Sequence, residues 1–121
     1  MNSPVGVLDT IGETPLVQLR SWDTPVPIYG KCEHMNPGGS VKDRLALALV
    51  NDGEATGKLR PGDTIVEATA GNTGMGLALV AAARGYRLVC VLPEKMSVDK
   101  RQALRSVGAE VMVTDNAPLD S

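Results

Sequence analysis

Residues 64–114 restrict the fold more than any other part of the chain. Thr64-Ile65-Val66-Glu67-Ala68 is a short, largely apolar run of strand composition. A helix pattern follows, and no charged residue falls between Gly74 and Ala83. A helix that is apolar on every side is expected to be buried. Arg84 suits the last turn of that helix and Gly85 suits the position after it. Arg87-Leu88-Val89-Cys90-Val91-Leu92 is a second strand, ended by Pro93. Ser97 is placed to cap a helix reaching about residue 107, with Asp99 in its first turn and Gly108 beyond it. Residues 110–114 supply a third strand. Strand, helix, strand, helix, strand means two βαβ units, with parallel neighbours and right-handed crossovers. Nearly continuous apolar strands fit a sheet covered on both faces. The expected architecture is therefore a three-layer α/β/α domain around a parallel sheet. Ligands of such sheets sit beyond the carboxyl ends of the strands, and residues 69–73 follow one such end.

Upstream, residues 1–10 carry little signal. Residues 11–19 read as a turn and then a short alternating strand. Residues 21–27 hold two prolines and read as a loop, with Trp22 expected to be a partly buried anchor. Residues 28–33 are a second strand. It leads into Asn36-Pro37-Gly38-Gly39-Ser40-Val41-Lys42-Asp43-Arg44, a tight turn handing into a helix. Ser40 stands where an N-cap belongs, and Asp43, three residues on, gives a near capping box. Leu45 to Val50 is wholly apolar, so Lys42 is expected in the first turn of a largely buried helix ending near Ala55, with Gly57 as a stop. A helix N-terminus and burial both disfavour an ammonium there. A free amine at that place attacks carbonyls and forms Schiff bases. The plainer reading is a lysine that reaches solvent beside Asp43, and the residues alone favour it.

The loop 69–73 has its own chemistry. Gly71 and Gly74 let backbone approach a ligand closely. The loop opens a helix, so its free N–H groups suit a carboxylate or phosphate. Thr69, Asn72 and Thr73 add short polar side chains. An ordinary capped turn is the alternative. Gly71-Asn72-Thr73-Gly74-Met75-Gly76, with Glu94 20 residues beyond Gly74, is close to a dinucleotide fingerprint. Its glycines run G-x-x-G-x-G, however, and each glycine of that fingerprint has a separate task, so the order counts against it. A P-loop is excluded because Asp43, not Ser or Thr, follows Lys42.

Composition removes other classes. Net charge is −2, which gives no electrostatic case for nucleic acid or an anionic membrane. Two Tyr, one Trp and no Phe make poor base-stacking platforms. No apolar run reaches the ~18 residues of a membrane span, and Met1-Asn2-Ser3-Pro4 lacks the order of a signal peptide. Cys32 and Cys90 form no CxxC; a cytoplasmic setting with two reduced thiols is expected, Cys90 in the core. The only histidine, His34, has no zinc-type neighbours in sequence. Lys100, Arg101 and Arg105 read as a solvated helix face, and Glu94-Lys95 as a surface pair.

The run Lys31-Cys32-Glu33-His34-Met35-Asn36-Pro37-Gly38-Gly39-Ser40-Val41-Lys42-Asp43-Arg44 resembles the lysine segment of the cysteine synthase and cystathionine β-synthase family. Glu67-Ala68-Thr69-Ala70-Gly71-Asn72-Thr73-Gly74 is similar to that family's substrate loop. The likeness runs in register from about Ile11 to the chain end. It implies the N-terminal part of the tryptophan-synthase-β-like fold of fold type II enzymes, in a protein more than twice this long. Residues 1–35 would be strands packing on a second domain, and residues 36–121 an incomplete N-terminal α/β domain. It implies pyridoxal 5'-phosphate as cofactor, held by Lys42 as an internal aldimine. Asn72 would bond the cofactor's phenolic oxygen, and Thr69, Gly71, Asn72 and Thr73 would grip the substrate carboxylate. Ala70 departs from the serine many members carry, which puts the choice of amino-acid substrate in question.

The implied activity is β-replacement on serine or an O-acylserine by a thiol. Arg84-Gly85-Tyr86-Arg87 and Pro93-Glu94-Lys95-Met96-Ser97 point toward cystathionine β-synthases, Ala70 toward a branch using activated serine. Cysteine synthase with sulfide is the runner-up. A cytoplasmic homodimer is implied for the whole enzyme. One alternative is of another class: a catalytically silent unit of folding or assembly. Its motive is that these residues hold neither the family's glycine- and threonine-rich phosphate cradle nor its contact to the pyridine nitrogen.

Overall fold

The computed structural model describes residues 5–69 and 71–115. Three parallel strands form the main sheet: β3 (Thr64–Ala68), β4 (Arg87–Pro93) and β5 (Glu110–Thr114), in the order β3-β4-β5. Val66 pairs with Val89, and Val91 with Met112. A separate antiparallel pair, β1 (Leu16–Gln18) and β2 (Tyr29–Lys31), lies upstream with Val17 opposite Gly30. The helices are α1 (Lys42–Ala55), α2 (Asn72–Arg84) and α3 (Val98–Ser106). Both βαβ units and the parallel sheet are as the alternating pattern requires.

The stop signal of α2 and the start signal of α3 act as read. Gly85 closes α2 in the left-handed region at φ 79°, its N–H donating to the Ala81 carbonyl. The Ser97 hydroxyl accepts the Lys100 N–H at the start of α3.

The core lies on one face of the sheet. Leu88, Cys90 and Leu92 of β4 alternate inward and are 2, 0 and 0% exposed. They meet Leu77, Ala78, Val80 and Ala81 of α2 and Leu104 of α3. Successive right-handed crossovers in one direction put α2 and α3 on the same face. The other face carries Val66, 63% exposed, and Met112, 59% exposed, and no helix among the described residues covers it. Helix α1 packs against α2 through Ala46 and Val50.

Four expectations need correction. Helix α2 is not buried all round: Ala82, Ala83 and Arg84 are exposed near its end. Helix α1 is amphipathic, with Leu45 and Leu49 41 and 49% exposed, because only its α2-facing stripe meets the core. Trp22 is largely exposed, since among the described residues its loop packs on no part of the core cluster. The segment before β1 is not featureless: Val7–Thr10 forms a 3-10 turn, and Leu8 and Ile11 pack on the core.

Candidate functional site

Two helix starts lie side by side. The contact is made by Gly76, one turn into α2. A Cβ there would come within 3.0 Å of the Lys42 carbonyl oxygen and 3.1 Å of the Ala46 Cβ. A hydrogen at this position lets the first turn of α1 rest on α2. Gly74 has a different task. It packs on Thr69 and Cys90, where a Cβ would meet the Thr69 Cγ2 at 2.7 Å. The glycines of this loop thus serve packing against α1 and β4, which is not the division of labour of a dinucleotide turn.

At the start of α1 the chain departs from a capping box. Val41, in α geometry, occupies the N-cap, and the Ser40 hydroxyl accepts the Lys42 N–H at 3.1 Å. Asp43 turns inward instead of back. It is fully buried, and its Oδ2 accepts the Gly38 N–H at 2.5 Å. Its Oδ1 has no hydrogen-bond partner among the described residues. Burial raises the Asp43 pKa, opposed by the bond from Gly38. Gly38 lies so close that a Cβ would collide with both carboxylate oxygens. Lys42 itself is exposed, the plainer of its two readings, because the outer stripe of α1 meets no covering element among the described residues. Its ammonium makes no hydrogen bond or ion pair among them.

At the start of α2 the Thr69 hydroxyl does the capping. It accepts the Gly71 N–H at 3.3 Å and the Gly74 N–H at 3.1 Å. Two of the amides read as open to an anion are therefore already satisfied. The amides of Asn72 and Thr73 have no acceptor among the described residues, and neither does the exposed Asn72 side chain. Among the described residues beyond its chain neighbours, no atom lies within 4 Å of a Cβ built on Gly71. A cleft of about 130 Å³ opens here, bordered by Gly38, Gly71, Asn72, Met75, Met96 and Lys100. Ala70 lies outside the described residues, as do residues 1–4 and 116–121.

These groups form a set that fits pyridoxal phosphate. An unpaired primary amine stands at one helix start, and free amide donors with open space above a glycine stand at the next. Other candidates fall away. Among the described residues no group of His, Cys, Asp or Glu is placed to hold a metal. Cys90 is buried, and burial followed by the charge of Glu67 raises its thiol pKa, so it is no nucleophile. His34 is exposed. No helix of the described residues is long and apolar enough to cross a membrane.

Sequence reasoning missed the groups that hold the α1 start. Asn36, 4% exposed, accepts the Gly12 N–H at 2.8 Å and donates to the carbonyls of Glu33 and Ser40. Glu33 pairs with Arg44 and accepts the Thr14 hydroxyl at 2.5 Å. Hydrogen bonds from Arg44 first, then Thr14, hold its carboxyl down at about 2. Asn36, Glu33 and Arg44 all stand in the lysine segment, yet nothing in their spacing announces a partner 24 or 32 positions away.

The model of the family described as pyridoxal-phosphate dependent enzyme matches residues 7–121. A cystathionine beta-synthase of Oryctolagus cuniculus is 50% identical over 120 residues, which cover 95% of this chain and 22% of that protein. A cysteine synthase of Staphylococcus aureus is 52% identical over 110 residues, covering 89% of this chain and 36% of that one. The crystal structure of an O-ureido-L-serine synthase superposes with a TM-score of 0.86 at 51% identity, over 93% of this chain and 36% of that one. The chain thus spans roughly a third or less of the length of these relatives. A family match over nearly all of the sequence, and a parallel α/β fold shared with solved relatives, agree with the paired helix starts: the chain belongs to the pyridoxal-phosphate dependent enzymes.

Proposed function

We propose that the protein carrying this chain catalyses β-replacement on serine or an O-acylated serine by a thiol, in the manner of the cystathionine beta-synthases. The observation that carries the reading is the juxtaposition at Gly76, which sets the backbone of Lys42 against the helix that begins at Asn72. Pyridoxal phosphate, when bound, supplies an aldehyde for an amine and an electron-withdrawing ring for a substrate that loses its Cα proton. The residues of this chain do the rest. Lys42 would hold the cofactor through its ε-amine, and that amine, when free, would take the substrate's Cα proton as general base. The Asn72 side chain would donate a hydrogen bond to the ring oxygen. Residues Thr69, Gly71, Asn72 and Thr73 grip the substrate carboxylate with amide and hydroxyl donors. The free amides of Asn72 and Thr73 support that role, while Thr69 acts by shaping the loop as well.

Cysteine synthase chemistry, with sulfide as the thiol, is the second reading. The similarity to a cysteine synthase at 52% identity supports it as well as the 50% match supports the first. The exposed Leu16, Val17 and Tyr29 of the β1–β2 pair support assigning residues 1–35 to a contact with a second domain. A homodimeric whole enzyme belongs to the same reading.

The test is the visible spectrum of the protein mixed with pyridoxal phosphate. A stable band that disappears in Lys42→Ala is expected. A featureless spectrum in the wild type refutes the reading and favours the silent unit. Assays with serine or O-acetylserine, against sulfide or homocysteine, then separate the two chemistries.

A further inference from the structure

The lysine turn is held from outside its own helix. Residue Gly12 is the centre of the arrangement. Its N–H donates to the Asn36 Oδ1 at 2.8 Å, and its carbonyl accepts the Arg44 Nη2 at 3.0 Å. Its φ of 86° suits glycine alone, and a Cβ there would meet the Arg44 guanidinium at 2.9 Å. Thr14, 7% exposed, adds its hydroxyl to the Glu33 Oε2, and its carbonyl accepts the Lys31 ammonium at 2.7 Å. Glu33 receives Arg44 through both Nε and Nη2.

These bonds end on both sides of Lys42. Asn36 Nδ2 donates to the Ser40 carbonyl at 3.0 Å, and the Ser40 hydroxyl accepts the Lys42 N–H. Arg44, two residues beyond Lys42, is fixed by Glu33 and Gly12. Helix propensity does not need such support in a 14-residue helix packed on α2. A covalent attachment point does, because small misplacements of reacting groups are costly. We propose that Gly12, Asn36, Glu33 and Arg44 form a clasp that sets the backbone at Lys42, with Asn36 and Glu33 as positioning residues for capture of the cofactor. The link to capture rests on the function proposed above; the clasp itself does not.

Two measurements on the protein test it, in Asn36→Ala, Glu33→Ala and the conservative Glu33→Gln. The first is amide hydrogen exchange over residues 39–44. The second is the rate at which pyridoxal phosphate labels Lys42. The amine and aldehyde join with loss of water, borohydride reduces the C=N bond, and peptide mapping locates the label. In both alanine variants, exchange is expected to speed up and labelling to slow by roughly tenfold, with circular dichroism unchanged. Glu33→Gln keeps an oxygen acceptor for Arg44 and Thr14 and is expected to restore most of the labelling rate. Unchanged exchange in both alanine variants overturns the clasp. Faster exchange with unchanged labelling overturns the positioning role. A wild type that takes no label at Lys42 overturns the positioning role together with the proposed function, while the exchange data still decide on the clasp.

Discussion

The starts of α1 and α2 are neighbours built on opposite plans. At α1, apart from the Lys42 ammonium and the Asp43 Oδ1, the polar side chains are engaged. Asp43 is enclosed and bonded to Gly38, Ser40 is held by Asn36, and Arg44 is held by Glu33 and Gly12. At α2 the Thr69 hydroxyl holds the loop, and the exposed Asn72 side chain bonds to nothing among the described residues. The contrast suits the proposed roles. A group that forms a bond gains from a fixed backbone, whereas a loop that grips a carboxylate must keep donors free.

The largest effects expected are those of adding one methyl group at each start. In Gly38→Ala the new Cβ meets the Asp43 carboxylate, which is fully buried and cannot withdraw. Overpacking of this kind costs about 1–3 kcal/mol. In Gly71→Ala the new Cβ meets no atom within 4 Å among the described residues beyond its chain neighbours. That variant is expected within about 0.5 kcal/mol of wild type. Urea unfolding midpoints of the two decide the matter, and equal costs would break the contrast.

Thr69→Val comes next. It keeps the shape of a side chain that is 8% exposed but removes the acceptor of the Gly71 and Gly74 amides. The loss of a helix-start acceptor costs about 1 kcal/mol. Faster hydrogen exchange confined to Gly71 and Gly74 would show that this hydroxyl alone orders the α2 start. Unchanged exchange there would mean that the loop is held by something else.

Which parts were legible follows from the range of the forces involved. Strands β3, β4 and β5 and helices α2 and α3 could be read because their signals are local. Apolar runs mark the strands, Gly85 and Ser97 mark ends, and each acts within four residues. The family likeness singled out Lys42 and Asn72, whose helix starts the structure sets side by side. Distance in sequence hid the rest. Asp43 read as a capping partner because Ser40 was three residues away, but burial against α2 turned it toward Gly38. The apolar run of residues 45–50 read as a buried helix, but only Ala46 and Val50 are buried in the core, Leu47 packs at its edge, and Leu45 and Leu49 remain exposed. The clasp was invisible because the bonds that close it onto Gly12 span 24 and 32 positions, and Asn36, Glu33 and Arg44 each alone look like a surface polar residue.

The smallest effect concerns pH, and the two carboxyls at the α1 start act in opposite directions. Glu33 has its pKa lowered from 4.5 to about 2 by Arg44 and Thr14. Its contribution to stability is full above pH 4.5 and is lost as pH falls from there toward 2. Asp43 has its pKa raised by burial, so the folded state holds its proton more tightly than the unfolded chain does. Stability therefore declines as pH rises from 3.8 through the folded-state value. The wild-type profile between pH 2 and 5 contains both slopes. Glu33→Gln removes the first, so its unfolding midpoint should lose less than that of wild type on acidification below 4.5. Asp43→Asn removes the second and keeps an oxygen for the Gly38 N–H, so its profile should steepen toward that of Glu33 alone. If Glu33→Gln instead follows wild type throughout this range, the ion pair with Arg44 contributes nothing to the folded state, and the α1 start is held by Asn36 and Asp43 without it.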